Sequence, residues 1–451
     1  HAEGVGTTAG GISSHAEGFS TTVSGVSSHA EGYETTAAGI AAHAEGYAAG
    51  ATGDYAHAEG QSTTANGIVS HAEGYGTAAA GIASHTEGYS SGAAGDYAHA
   101  EGVGSTAGGT SSHAEGWSTL ASGEASHAEG TFDDEDPAFI TRALARGSHA
   151  EGIGTTAGIG SNIGRGAHAE GVRTIASATA SHAEGDRTTA SGFASHAEGE
   201  NTVANEAFAH AEGLQTGVAA NFAGAHIMGQ YGQATNPFSW FLANGTGLGN
   251  LGLGAKIIGN DPLQPGVTNA YIDGAWIPGG ADYAEMFETV DGQPSEPGYF
   301  VTLEGEKIRT AQAGDDYILG VISANYSVLG DSSELRWKDK YLTDEWGRVQ
   351  RQEVVIPAVT DKDGSVIIPE RKELQPILNP AWDNTRAYVS RLKRPEWVAV
   401  GLIGKVLARD DGTCQVNSYC TATDGGMATA ASTGYRVLKR TGDRQIVILF
   451  K

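Results

Sequence analysis

The first 225 residues set small apolar side chains at alternate positions in a seven-residue pattern that runs twice per repeat. In 188–202 it reads Thr188, Ala190, Gly192, then Ser195, Ala197, Gly199, then Thr202. Small residues at every second position followed by glycine describe a short strand and a tight turn. Two strands and two turns make one 14-residue coil of a flattened parallel solenoid. Its interior has room only for Ala, Ser and Thr. Each coil carries the string His-Ala-Glu-Gly, which recurs fifteen times from His1 to His210, once as His-Thr-Glu-Gly at His85. The step is 14 residues, apart from insertions of eight before His149 and five before His168. A fixed period of this kind decides the architecture before local propensity does.

His and Glu of each motif are two apart, so on a strand they share a face while the Ala between them points inward. Stacked coils then set a His column beside a Glu column; only His226 lies outside the motif. A metal array is one reading. A structural ladder of paired imidazoles and carboxylates packed between subunits is the other, and it is favoured because a fifteen-fold repeat is architecture rather than a defined ligand set. No metal and no cofactor are expected. Coils stacked at about 4.8 Å make a rod roughly 70 Å long. Its Ala and Ser interior buries little apolar area, and at about 25 cal/mol per Å² one such rod is marginal. The outward positions are therefore expected to pack against other copies, as a homotrimer. The residue after the motif glycine is often large, as in Tyr33, Tyr75 and Trp117. This column either packs between protomers, the favoured reading, or stacks on glycan rings of a host receptor, with Tyr33 and Trp117 the candidates. Residues 131–148 interrupt the repeat with Asp133, Asp134, Glu135 and Asp136, which lack the spacing of an EF-hand. A loop bulging from a rigid rod is a second candidate receptor contact.

The register of both half-repeats resembles the left-handed β-roll heads of trimeric surface adhesins, across 1–225. A Gly- and Asn-rich connector is expected over 226–278 and a β-rich globule over 279–451. Charge separates the two halves. The chain carries −26 overall, and residues 1–230 contribute −21 of it, with five Arg, no Lys and 26 acidic groups. That balance argues against nucleic acid and anionic membrane as partners. No apolar run is long enough for a membrane helix, so no membrane insertion is expected. Cys414 and Cys420 read as ordinary buried thiols. The chain begins at His1 in the middle of a repeat, so any leader or anchoring domain is expected upstream.

The C-terminal strings are long and unusual: GADYAEMFE, then DGQ…GYFVTLEGEKIR, DDYILGVIS, WKDKYLTDEWGRV, RPEWVAVGLIGKV and DDGTCQVNSYC…GYRVLK. Over 279–451 they resemble the self-cleaving C-terminal domain of phage appendage and tail-spike proteins, the intramolecular-chaperone, glutamic-peptidase type of small Bacillus podophages. The resemblance implies assistance to trimer folding and one autoproteolytic cut just before the Asp of the motif, here the Ala281–Asp282 bond. Some members carry Ser where this chain has Ala281, so no role for that hydroxyl carries over.

The residues support carboxylate chemistry independently. Peptide hydrolysis needs a base to activate water and an acid to protonate the leaving nitrogen. Asp282 and Glu285 are two carboxylates beside the candidate bond, and they share a face on a helical turn but not on a strand. Three copies meeting at an axis also allow Glu285 of one chain to serve the bond of another. Lys405 has no serine placed beside it by any motif. The expected protein is all-β: a left-handed parallel β-roll solenoid of 14-residue coils, homotrimeric, followed by a β-rich globular chaperone domain. Its expected role is a virion fibre or neck/tail appendage that binds the host surface. The alternative is a prophage-derived bacterial surface adhesin. A trimeric autotransporter ends in a membrane barrel, which the terminal GDRQIVILFK does not suggest.

Overall fold

The computed structural model describes residues 1–160, 163–259, 268–333, 339–360, 364, 366–368 and 370–451. Among them the one helical element is a 3-10 turn at Arg391–Lys393, and no helix is long and apolar enough to cross a membrane. Two compact units form: residues 1–274 with 355–373, and residues 275–354 with 374–451. The segment 355–373, expected in the C-terminal globule, thus groups with the first unit.

The first unit is a parallel β-solenoid. Each His-Ala-Glu-Gly strand pairs in register with the next, His15 with His29 and Glu17 with Glu31, and the second short strand does the same, Thr22 with Thr36. Both insertions leave this register intact, since His127 pairs with His149 and His149 with His168. Ala16, Ala30 and Ala44 are fully buried, along with Thr21, Thr35 and Ser28.

The turns differ in one respect from the sequence pattern. The left-handed backbone falls on non-glycine residues seven apart: Ser20, Ser27, Glu34 and Ala41 have φ between 52° and 58°. Each such residue costs about 1–2 kcal/mol. Stacking offsets that cost, because the N–H of Ser20 donates to Val5 O and that of Ser27 to Ile12 O, both at 2.8 Å. The motif glycines also have positive φ, +115° at Gly18, and close approach requires them as well. A Cβ at Gly18 would lie 2.0 Å from the carbonyl oxygen of Gly32 in the next coil.

The solenoid also runs beyond 225, into the stretch expected to be a connector. His226–Gln233 pairs in parallel with the preceding strand, His226 opposite His210, and Trp240–Asn244 adds another rung. Ile227 and Phe241 fill the interior positions held by Ala elsewhere, so the sequence period vanishes while the coil persists. Two antiparallel strands, Leu253–Ile258 and Asn269–Ile272, follow.

The second unit is built on one mixed sheet. Its strands are β1 (Asp282–Glu288), β2 (Phe300–Glu304), β3 (Lys307–Thr310), β4 (Gly320–Ile322), β5 (Val328–Gly330), β6 (Trp397–Arg409), β7 (Tyr419–Ala422), β8 (Ala428–Ala431), β9 (Tyr435–Gly442) and β10 (Gln445–Phe450). The order is β3-β2-β4-β6-β10-β9-β7-β8, with β1 antiparallel to β6 and parallel to β5. The 13-residue β6 organises the unit. Its first half pairs with β1 and β4, and its second half pairs with β10. Phe300, Val406, Ile446, Ile448 and Phe450 form the main core, which also takes in Cys414 and Cys420. Both thiols are buried and free, and burial pushes Cys420 up to about 11 and Cys414 higher still, so neither is a nucleophile at neutral pH.

Candidate functional site

The motif Ala-Asp-Tyr-Ala-Glu opens β1, and its strand conformation settles the question left open by the spacing. Asp282, Ala284 and Met286 are buried, whereas Tyr283 is exposed and Glu285 half-buried. Asp282 and Glu285 therefore lie on opposite faces of one strand, and a carboxylate pair within the chain does not form.

Asp282 is 2% exposed, and its Oδ2 has no hydrogen-bond partner among the described residues. That oxygen rests against bare backbone, since a Cβ at Gly401 would come within 2.6 Å of it. Burial pushes the carboxyl above its ordinary range, while the Ser323 side chain pulls the other way. A carboxyl in this setting holds its proton closer to neutral pH than a surface aspartate does.

The backbone on both sides of the Ala281–Asp282 bond is held. Ser327 donates to the Asp282 carbonyl oxygen twice, from its N–H and from its Oγ, both at 2.7 Å. The Ala281 carbonyl oxygen accepts the N–H of Lys405 at 3.4 Å. Gly404 makes this approach possible, for it has φ +114° and a Cβ there would sit 2.5 Å from the same oxygen. A cleft of about 670 Å³ opens at the bond, lined by Ala281, Asp282 and Ser323 and by the basic residues Lys405, Arg409 and Arg444. Lys405 and Ser323, which no motif connects, thus share one cleft.

Glu285 belongs to the other face, where Tyr283 Oη donates to its Oε1 at 2.5 Å. The carboxylate in turn pushes the phenol above its usual range. Tyr283 was recoverable from sequence, as the residue two before Glu285 on a strand. Ser323, Ser327 and Lys405 were not, because the loop and strand that deliver them are distant in the chain.

The other candidates fall in the solenoid. Phe19, Tyr33 and Tyr47 stack at 5.0 Å and stay exposed. Trp117 meets Phe132 edge-on at 5.1 Å. The acidic insertion is partly consumed by its own fold. Asp133 is buried in an ion pair with Arg173, which also reaches Glu135 at 3.1 Å and lies over the Phe139 ring. The Arg173 guanidinium holds the Asp133 carboxyl below its ordinary range. Asp133 therefore clips the loop, and Asp134 and Asp136 remain exposed.

The same stretch that builds the cleft matches a known family model. Residues 266–444 match Peptidase_G2, the IMC autoproteolytic cleavage domain. Over these residues the chain is similar to that family. The pre-neck appendage protein of Bacillus phage B103 is 39% identical over 185 residues, 41% of this chain and 19% of that protein. The phage-related protein YobO of Bacillus subtilis (strain 168) is 37% identical over 161 residues, 35% of this chain and 19% of its own length. The chain thus spans about a fifth of the length of these curated relatives. A crystal structure of the bacteriophage phi29 gene product 12 C-terminal fragment covers 38% of this chain and all of that fragment, at 34% identity and a TM-score of 0.31.

Proposed function

We propose that this chain is part of a virion-borne phage appendage whose solenoid forms a homotrimeric rod that meets the host surface. Its C-terminal unit registers three copies and then cuts itself off between Ala281 and Asp282. The observation that carries the reading is the buried Asp282 carboxyl, with its Oδ2 unpartnered among the described residues, beside a peptide bond pinned on both sides and inside the stretch that matches the autoproteolytic domain.

In the proposed reaction, water adds to the Ala281 carbonyl carbon as a carboxylate takes its proton. The carbonyl oxygen gains charge against the Lys405 N–H. The C–N bond breaks as the Asp282 carboxyl gives its proton to the departing nitrogen, which becomes the α-amine of Asp282. Glu285 is the candidate base. Because it occupies the opposite face of β1, it serves the bond of a neighbouring copy, so cleavage follows trimer formation. Separation of the registering unit then makes the rod kinetically stable.

Mixed expression tests this. Glu285→Gln and Asp282→Asn chains alone should trimerise and stay whole on denaturing electrophoresis. Mixed trimers should cut only the Glu285→Gln chain, using Glu285 of its partner. Absence of cleavage in mixed trimers, with wild type cutting normally, would rule out action between copies. The relative in Bacillus subtilis supports a second reading, a prophage-derived surface adhesin that keeps the same assembly unit.

A further inference from the structure

The His/Glu face of the solenoid takes no part in the proposed cleavage. Its imidazoles stack from His1 to His226, with neighbouring centroids 4.8 Å apart at His113–His127 and 4.3 Å at His210–His226. At every rung from His15 to His226 the Nε2 atom is buried and lacks a hydrogen-bond partner among the described residues. Such a row of orphaned nitrogens needs a physical account.

Along the column Nε2 atoms face a carboxylate of their own coil, of the one before, or of both. His127 Nε2 is 3.4 Å from Glu115 Oε1 and 4.0 Å from Glu129 Oε2. His149 Nε2 is 3.7 Å from Glu129 Oε1 and 3.9 Å from Glu151 Oε2. His210 Nε2 is 3.4 Å from Glu198 Oε1 and 3.9 Å from Glu212 Oε2. These separations exceed the roughly 2.7–3.2 Å of an N–H···O hydrogen bond. They suit a shared cation better. Two ligand atoms bound tetrahedrally to zinc at about 2.0–2.1 Å lie roughly 3.4 Å apart. The shorter contacts match that edge, and a small rotation of the carboxylate brings in the longer ones. Glu129 offers Oε1 to His149 and Oε2 to His127, so one carboxylate bridges two successive positions. The ligand atoms of His149, Glu151 and His168 all lie within 4.8 Å of one another.

We propose that this column binds zinc ions, each held by one imidazole Nε2 and by carboxylate oxygens of the same and the preceding coil, with a fourth position left to water. Without cations the like charges of successive carboxylates face one another along the column. Lysine is absent from residues 1–230, so little fixed positive charge competes. Each carboxylate is shared by two positions, and charge balance therefore favours about one divalent ion per two coils. The mixed nitrogen and oxygen donors select a zinc-like ion over calcium, which takes oxygen ligands.

The test uses the full chain, stripped with chelator and equilibrated with zinc chloride or calcium chloride, with bound metal counted by mass spectrometry. Several zinc ions per chain are expected, and no calcium. Cobalt(II) should give the intense visible absorption of tetrahedral coordination. Replacing Glu115, Glu129 and Glu151 together by Gln should lower the zinc count by about two, on the same charge balance. Fewer than one zinc per chain would overturn the proposal, as would an unchanged count in the triple variant. A weak octahedral cobalt spectrum in the wild type would do so without any variant.

Discussion

Tyr283 Oη lies 2.5 Å from Glu285 Oε1, so the candidate base is held by the residue beside the candidate acid. Tyr283 and Asp282 face opposite sides of β1, and one short strand therefore presents the candidate base on one surface and the candidate acid on the other. A hydrogen bond to a charged carboxylate is worth about 1.5–3 kcal/mol. Tyr283→Phe should slow self-cleavage by about tenfold or more, because the carboxylate loses the donor that holds it in place. Trimer yield should not change. The check is cleavage rate against pH by denaturing electrophoresis.

Asp282 should lower the stability of its own unit. Its carboxyl is raised in the native state, so the folded protein holds a proton that the unfolded chain has already lost. The cost is absent below the unfolded value and grows as pH rises through the native one. In a Glu285→Gln background, Asp282→Asn should therefore raise the melting temperature at pH 8 by a few degrees. That gain should shrink to nothing towards pH 3, as thermal melts at both pH values would show.

The motif glycines predict a large effect at a surface-like position. Gly88 has φ +97°, and a Cβ there would meet the Gly102 carbonyl oxygen at 2.2 Å. Gly88→Ala should destabilise the rod by about 2–4 kcal/mol. Chemical denaturation followed by circular dichroism measures it.

Arg173→Met should free the acidic insertion. With the Asp133 carboxylate buried and unpaired, the loop should open and become protease-sensitive near residues 133–139, while cleavage at Ala281 proceeds unchanged. Limited proteolysis with mass mapping reads this directly.

The solenoid was legible because its period is written in residues that geometry forces: Ala where the interior is narrow and Gly where backbones nearly touch. It stopped being legible at His226, where Ile227 and Phe241 replace Ala although the coil continues. Larger side chains occupy the same inward position there. At the site, Asp282 and Glu285 could be named from one string, but their opposition depended on whether that string became strand or helix. Ser327 and Lys405 reach the bond through loop and β6 pairings that no local pattern encodes.

The glycine columns have a consequence for how such a chain can change over generations. A side chain is shut out at each motif glycine by the coil stacked on it, so point substitution there is closed off. Duplicating or deleting a whole 14-residue unit leaves every neighbour with an equivalent neighbour, and corner insertions such as those before His149 and His168 leave the pairing untouched. The reach of the rod is thus a quantity that recombination can adjust in unit steps, while its cross-section is nearly frozen.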